Sequence, residues 1–341
     1  MKKTLVYLEK SKLEPKGGPY AVGYYVKKQL DVRNEADIDF IDDVKGDSAV
    51  SGAKSGLANK FPLAKKAVHI AKRYRRYSNA VNRGGVSSVD LNKYEIVHFH
   101  HTRAMYEIRN SLKDYKGTVI LTSHSPVPLS KEIYDEQITP FEKKVFKKLY
   151  SRLIEMDEYA FNRADIILFP CEEAEEPYIN NWSEYTEIRN TRKEHYAYIP
   201  TGIPDCRAKR NRLEVRKELG IAEDDFYVSY VGRHNFVKGY DKLKEIGKEL
   251  LKDNKSWMVV AGKEEPLKRY DHKRWIEIGW TNDAHSYIGA SDVFVLPNLE
   301  TYFDIVMLEV LALGKPVVAS RTGGNKYFER LKPNGVFLYD T

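Results

Sequence analysis

Apolar positions along the chain follow two spacings. Short apolar runs closed by glycine, proline or charge read as strands, and longer stretches with apolar residues three and four apart read as helices. On that pattern residues 3–9 form a first strand, followed by a loop with Pro15-Lys16-Gly17-Gly18-Pro19 and a helix over 20–30. Asp37-Ile38-Asp39 lies in a second strand and, with Asp42 and Asp43 beside it, reads as an exposed strand end rather than a metal site. Further strands are expected at 96–101, 119–126, 165–169 and 197–199. Pro200-Thr201-Gly202-Ile203-Pro204-Asp205 then reads as a hinge, and the pattern restarts with strands at 226–231, 257–261, 275–279 and 291–296 and a helix over 242–251. Such alternation predicts α/β layers in two domains, 1–204 and 205–341.

The stretch 300–320 holds the most unusual chemistry. Thr301 followed by Asp304 reads as a capping box, and Gly314 with Pro316 as a stop, so a helix over 303–313 is expected, with a strand from Val317. Every side chain from Ile305 to Leu313 except Glu309 is apolar, which predicts a helix buried between layers. A carboxylate there needs donors, either a basic neighbour or loop amides within the protein, or the hydroxyls of a ligand. Amides at the helix start would offer an anion site close by.

Two segments are basic and amphipathic. Over 61–83, Leu63, Ala67, Ile70, Tyr74, Tyr77 and Val81 recur at helical spacing among Lys65, Lys66, Lys72, Arg73, Arg75, Arg76 and Arg83. Over 141–161, Val145, Leu149 and Met156 oppose Lys143, Lys144, Lys147, Lys148 and Arg152. Either helix can turn its basic face to solvent or lie on an anionic membrane surface. The net charge of +7 and pI near 9.0 favour an anionic partner. With no zinc finger, aromatic RNA-binding signature or basic tail, nucleic acid is not the expected one. Cys171 and Cys206, without metal-ligand spacing, point to a reducing compartment, and the apolar run after Met1-Lys2-Lys3 ends at Leu8, too short for a signal peptide. The expected location is cytoplasmic, with peripheral attachment at the inner face of the membrane if the basic faces lie on it.

Candidate chemistry gathers where strands end. His98, His100 and His101 close one strand without a Cys or carboxylate to complete a zinc set, and His124 sits on the loop leaving the next. Arg233 and Lys238 fall in a strand-to-helix loop, where two cations and a helix start could neutralise a diphosphate.

Gly232-Arg233, Lys238-Gly239, the Glu309 helix ending in Leu313-Gly314-Lys315-Pro316-Val317-Val318-Ala319-Ser320, and Gly323-Gly324 together resemble glycosyltransferase family 4. Gly17-Gly18, His124, Ala164-Asp165 and Ile199-Pro200-Thr201-Gly202 extend the resemblance over nearly the whole chain. It implies the GT-B fold, two Rossmann-like domains facing each other across a cleft, and a retaining, metal-independent transferase of bacterial surface (capsular) polysaccharide synthesis. The donor would be a UDP- or GDP-linked sugar, with no further cofactor and no metal, and the acceptor a lipid-linked or growing glycan. By the resemblance Glu309 holds the ribose hydroxyls and Arg233 and Lys238 the diphosphate. Amides of Phe303, Asp304 and Ile305 hold the sugar or distal phosphate, and Trp280, Thr281 and Asn282 frame the base. Gly17 and Gly18 let the N-terminal half approach the donor, and His124 positions the transferred sugar.

The chain departs from the family pattern in three places. The first glutamate of the pattern falls on Thr301, with Glu300 one position early, so either residue can take that role. Asp304 stands where glycine is usual, and the chain stops at Thr341 on a strand, which implies a truncated C-terminal domain. These departures motivate an alternative: a catalytically weak GT-B protein that binds glycan or a partner transferase. A nucleotide-sugar epimerase on the same fold is a third reading.

Overall fold

A computed structural model of the chain describes residues 3–8, 13, 18–35, 37–41, 68, 70–72, 74, 85–146 and 148–340. The chain divides into two compact units, one of residues 1–169 with 181–197, the other of residues 170–180 with 198–341.

The first unit is built on a six-stranded sheet. Its strands are β1 (Thr4–Tyr7), β2 (Ile38–Phe40), β3 (Ile96–Phe99), β4 (Thr118–Thr122), β5 (Ile166–Phe169) and β6 (Tyr196–Tyr198), in the order β2-β1-β3-β4-β5-β6. The pairs from β2 to β5 run parallel. β3, β4 and β5 alternate in burial and β1 is buried from Leu5 on, so that Leu5, Val97, Phe99, Val119, Leu121, Ile167 and Phe169 are fully buried. The helix Leu149–Arg163 contributes Leu153, Met156, Ala160 and Phe161 to the interior. Asp39, in the acidic strand end read from sequence, pairs with Lys3 at 3.2 Å and accepts from the Tyr94 hydroxyl at 2.9 Å.

Two expectations change here. The single basic helix predicted over 141–161 is broken into Pro140–Val145 and Leu149–Arg163. A capping box between Thr139 and Glu142, with proline at the helix start, begins the first piece; Phe146 then leaves helical geometry and stacks on Tyr74 with ring centroids 4.3 Å apart. Most of the basic stretch 61–83 lies outside the described residues, although 68, 70–72 and 74 are helical.

The second unit has β7 (Phe226–Val231), β8 (Ser256–Ala261), β9 (Trp275–Gly279), β10 (Val293–Leu296), β11 (Val317–Ser320) and β12 (Val336–Tyr339). All pair in parallel in the order β12-β11-β10-β7-β8-β9. Counted within the unit this is 3-2-1-4-5-6 read from one edge, the Rossmann order, which reverses between β7 and β10. Period-two alternation sends Val228 and Tyr230 into a core with Tyr240, Leu243, Met258 and Trp275, while Tyr227 faces Val215, Ile221 and Tyr287 on the other side. Arg216, 1% exposed, holds that second layer: it donates to the carbonyls of Ala222 and Asp225 at 2.8 Å and pairs with Asp292 at 2.7 Å. Residues 170–180 belong to this unit because Glu176 takes the Gly323 amide at 3.2 Å and pairs with Lys326.

Candidate functional site

Open parallel sheets bind ligands at the carboxyl ends of strands where the order reverses. In the second unit those ends are the loops after β7 and β10. They lie against each other because residue 239 is glycine: its φ is +63°, and a Cβ there would sit 1.6 Å from the Pro297 carbonyl oxygen. Leu299 donates its amide to the Val237 carbonyl at 3.0 Å, and the Asn235 side chain accepts the Lys238 amide at 2.9 Å. Gly323 and Gly324 bring a third loop in, the Gly324 amide donating to the Thr301 carbonyl at 3.2 Å. The conjunction of glycines, cations and polar residues seen in the sequence is therefore one place in space.

Lys238 does not stand free there. Its ammonium donates to Asp304, whose second oxygen accepts from the Asn298 side chain. This explains why the expected capping box fails. Asp304 is the N-cap of the helix Ile305–Ala312, but with both oxygens engaged it makes no side-chain cap. Thr301, freed from capping, is 1% exposed, and among the described residues neither its hydroxyl nor the Asn298 side-chain Oδ1 has a hydrogen-bond partner. A buried polar atom left unmatched costs about 1–3 kcal/mol, and both of these lie in the loop that leaves β10. Phe303 is buried and packs its ring on Tyr327 and Phe328, which anchors the backbone at the helix start. Arg233 is exposed at the rim, its carbonyl accepting from the Tyr230 hydroxyl at 3.2 Å. The Glu300 amide faces the Val237 carbonyl at 3.4 Å, so Glu300 and Thr301 both border the loop that carries Lys238.

Glu309 corrects the expectation of a helix buried between layers. Only Met307 and Val310 are fully buried on that helix; Ile305, Val306 and Leu308 are partly exposed, and the Glu309 side chain is 27% exposed. The carboxylate already has a basic neighbour, His285, at 3.5 Å. Its hydrogen bond from His285 raises the imidazole pKa above its ordinary value of 6.5, against the effect of burial. His285 comes from the helix Ala284–Ala290, which packs on Ile305–Ala312 and follows directly on Trp280-Thr281-Asn282. Trp280 is 68% exposed, Asn282 is exposed, and the Thr281 hydroxyl accepts the Asp283 amide at 3.0 Å to start that helix. The three residues expected to frame a base thus adjoin the element that meets Glu309, with a surface indole available to stack.

In the first unit His124 sits beyond β4 with φ of +55°, a left-handed conformation costly for a side chain of this size and common at functional positions. Its Nε2 shares a hydrogen bond with His100 Nδ1 at 2.7 Å, the rings stacked at 5.0 Å, and His98 lies 4.1 Å from His100. Burial, aided for His100 and His124 by the neighbouring rings, pushes His98 down to about 4, His124 to about 3 and His100 well below the usual range. All three are neutral hydrogen-bonding rings at pH 7. Gly18 begins the helix Gly18–Arg33, and Gly17 lies outside the described residues.

Several site residues escaped sequence reasoning: Asn298, His285 and Cys206, whose Sγ falls within 4.8 Å of the His285 and Glu309 ligand atoms. A proline-asparagine pair after an apolar strand could have flagged Asn298; the other two are brought in from distant stretches with no local signal.

Residues 211–341 match the family model Glycosyl transferases group 1. The matched stretch falls within the second unit and takes in its whole sheet, from β7 to β12. An uncharacterized glycosyltransferase of Methanocaldococcus jannaschii is 25% identical over 46% of this chain and 44% of its own length. The Escherichia coli UDP-Gal:alpha-D-GlcNAc-diphosphoundecaprenol alpha-1,3-galactosyltransferase is 31% identical over 36% of this chain and 35% of its own. The matches take in less than half the length of these relatives. Among solved structures, Anabaena HepE in complex with UDP-glucose aligns with TM-score 0.61 and 16% identity over 99% of this chain and 85% of that one. That likeness shows the fold: GT-B, with two Rossmann-like domains.

Proposed function

We propose that the protein is a retaining glycosyltransferase that moves a sugar from a UDP- or GDP-linked donor to a lipid-linked or growing glycan in surface polysaccharide synthesis. The observation that carries this reading is the cluster at the β7–β10 switch point, where Lys238, Asp304 and Asn298 interlock beside the unmatched Thr301 hydroxyl. A donor diphosphate would engage Arg233 and draw Lys238 from Asp304. Amides of Phe303, Asp304 and Ile305 would meet the sugar or distal phosphate, Glu309 the ribose and Trp280-Thr281-Asn282 the base.

As the glycosidic bond breaks, positive charge develops at the anomeric carbon and negative charge on the leaving diphosphate, with attack on the same face. Cations and amides fixed before the reaction stabilise that separation without reorganising. His124, uncharged at neutral pH, would hydrogen-bond the transferred sugar rather than donate a proton from an imidazolium. The galactosyltransferase relative, named for a UDP-sugar and a diphosphoundecaprenol acceptor, supports this donor and acceptor class.

The acceptor class suggests work at a membrane surface. No helix among the described residues is long and apolar enough to cross a membrane. Phe141 and Val145 are 65% and 54% exposed beside exposed Lys144 and Lys148, a pattern suited to lying on an anionic bilayer. The 61–83 segment would add to it.

A second reading draws on the Lys238–Asp304 pair. A phosphate-binding cation already neutralised would suit a weak enzyme whose role is to bind glycan or a partner transferase. The deciding experiment offers UDP- and GDP-sugars with a polyprenyl-diphosphate-linked sugar acceptor and follows product by mass. Extension of the acceptor by wild type and its loss in Glu300→Ala support the transferase. Glycan binding without turnover, unchanged in Glu300→Ala, supports the second reading.

A further inference from the structure

We propose that Cys206, His285 and Glu309 form a site for a thiophilic divalent cation such as zinc. One ligand atom from each, a thiol sulfur, an imidazole nitrogen and a carboxylate oxygen, lies within 4.8 Å of the others, and His285 Nε2 is 3.5 Å from Glu309 Oε1. Around a tetrahedral ion with bonds of about 2.0–2.3 Å, neighbouring ligand atoms are separated by roughly 3.3–3.7 Å. The imidazole–carboxylate edge already has that length, and the sulfur needs only a short movement to complete the triangle.

The donors are held rather than merely near. The Ser286 hydroxyl, next to His285, accepts the amides of both Lys209 and Arg210 at 3.0 Å. Arg210 in turn donates to Asp283 at 2.9 Å, so the loop bearing Cys206 is fastened to the start of the helix bearing His285. The Arg207 backbone also hydrogen-bonds the His285 ring. Fixing the imidazole through its backbone partner is how metal-binding histidines are usually oriented. Cys206 is 8% exposed at the base, whereas the His285 and Glu309 side chains are 30% and 27% exposed, leaving a fourth position open to water.

A thiolate with an imidazole and one carboxylate favours zinc-like ions over magnesium or calcium, which prefer all-oxygen shells. On binding, the sulfur–metal bond replaces the S–H bond and the proton leaves to solvent. The Pro204 carbonyl, which accepts from Cys206 at 3.3 Å, loses that donor. Glu309 is also the residue proposed to hold the donor ribose, so the metal and a nucleotide would compete. The metal site itself does not depend on that reading.

The test is a cobalt(II) titration of the full chain after chelator treatment, read by the sulfur-to-cobalt charge-transfer band in the near ultraviolet. One equivalent per chain is expected, with the band absent in Cys206→Ala, at least tenfold weaker binding in His285→Ala, and no change in Cys171→Ala. Far-ultraviolet circular dichroism verifies folding; should Cys206→Ala fail to fold, the His285→Ala titration decides. No band in wild type, a band that survives Cys206→Ala, or unaltered affinity in His285→Ala overturns the site. A separate titration of UDP and GDP with and without zinc tests the competition. A loss of nucleotide affinity with zinc supports it, and equal affinity overturns the shared use of Glu309, whatever the cobalt band shows.

Discussion

The carboxyl ends of the two sheets treat charge in opposite ways. At and beyond the ends of β3 and β4 in the first unit, His98, His100 and His124 crowd together and burial keeps each ring neutral. Beyond β7, β9 and β10 in the second, partly exposed ionisable groups pair, Lys238 with Asp304 and His285 with Glu309. The first arrangement offers hydrogen bonds without a field, suited to a neutral sugar. The second offers charges that a ligand can exchange for its own, suited to a nucleoside diphosphate. Similar sheets therefore present different charge at their carboxyl ends according to how deeply the nearby residues are buried.

The largest expected effect comes from the backbone of the charged site. Gly239→Ala places a Cβ on the Pro297 carbonyl and forces φ of +63° on alanine, costing more than about 2 kcal/mol and separating the two loops. Chemical denaturation together with nucleotide titration would register both losses; retention of full nucleotide affinity would show that the loop contact is dispensable. Next, Lys238→Ala removes a charge-assisted bond worth about 1.5–3 kcal/mol and should weaken nucleoside diphosphate binding about 10- to 100-fold. Asp304→Asn tests the exchange from the other side. With the ammonium released, affinity should rise several-fold, and a fall would mean that Asp304 helps to hold the ligand.

The two regions should also respond to pH with opposite signs. The buried rings have folded pKa values below the ordinary 6.5, so the native state binds fewer protons than the unfolded chain. Their neutral form is favoured above pH 6.5, and stability is lost as pH falls from there toward about 4 for His98 and about 3 for His124. The slope is about 1.4 kcal/mol per pH unit for each ring. Replacing His124 by Gln should make the acid limb of a thermal-unfolding pH series shallower by about one ring. His285 is raised, so its contribution is full below pH 6.5 and disappears as pH rises through its folded value. Partial exposure limits this to less than about 1 kcal/mol. In chelated buffer, His285→Gln should flatten only the neutral-to-alkaline limb; an effect on the acid limb would contradict the assignment.

How much of this was legible in the sequence depended on the range of the interaction. Buried parallel strands are apolar runs, so the strands of both sheets and the glycines at their ends stood out locally. The helix around Glu309 was misjudged because an apolar sequence does not reveal which neighbours cover it, and most of its apolar side chains remain partly exposed. The capping role expected of Thr301 failed for a similar reason, since Asp304 is claimed by Lys238 and Asn298 from other segments. Phe146 ends a helix whose amphipathic spacing runs on, and its ring meets Tyr74 from a distant stretch, a contact that no local pattern encodes. Cys206, His285 and Glu309 meet only after folding, so a search for short metal-ligand spacings passed over them.

The central claim, that the charged end of the second sheet receives a nucleoside diphosphate, is tested most directly by calorimetric titration of UDP and GDP into wild type and Glu309→Gln in metal-free buffer. One of the two nucleotides should bind saturably at one per chain, and Glu309→Gln should weaken it about tenfold or more, in line with the loss of a hydrogen bond to a charged group. Absence of binding by both nucleotides, or equal affinity in Glu309→Gln, would contradict the assignment of this site to the donor.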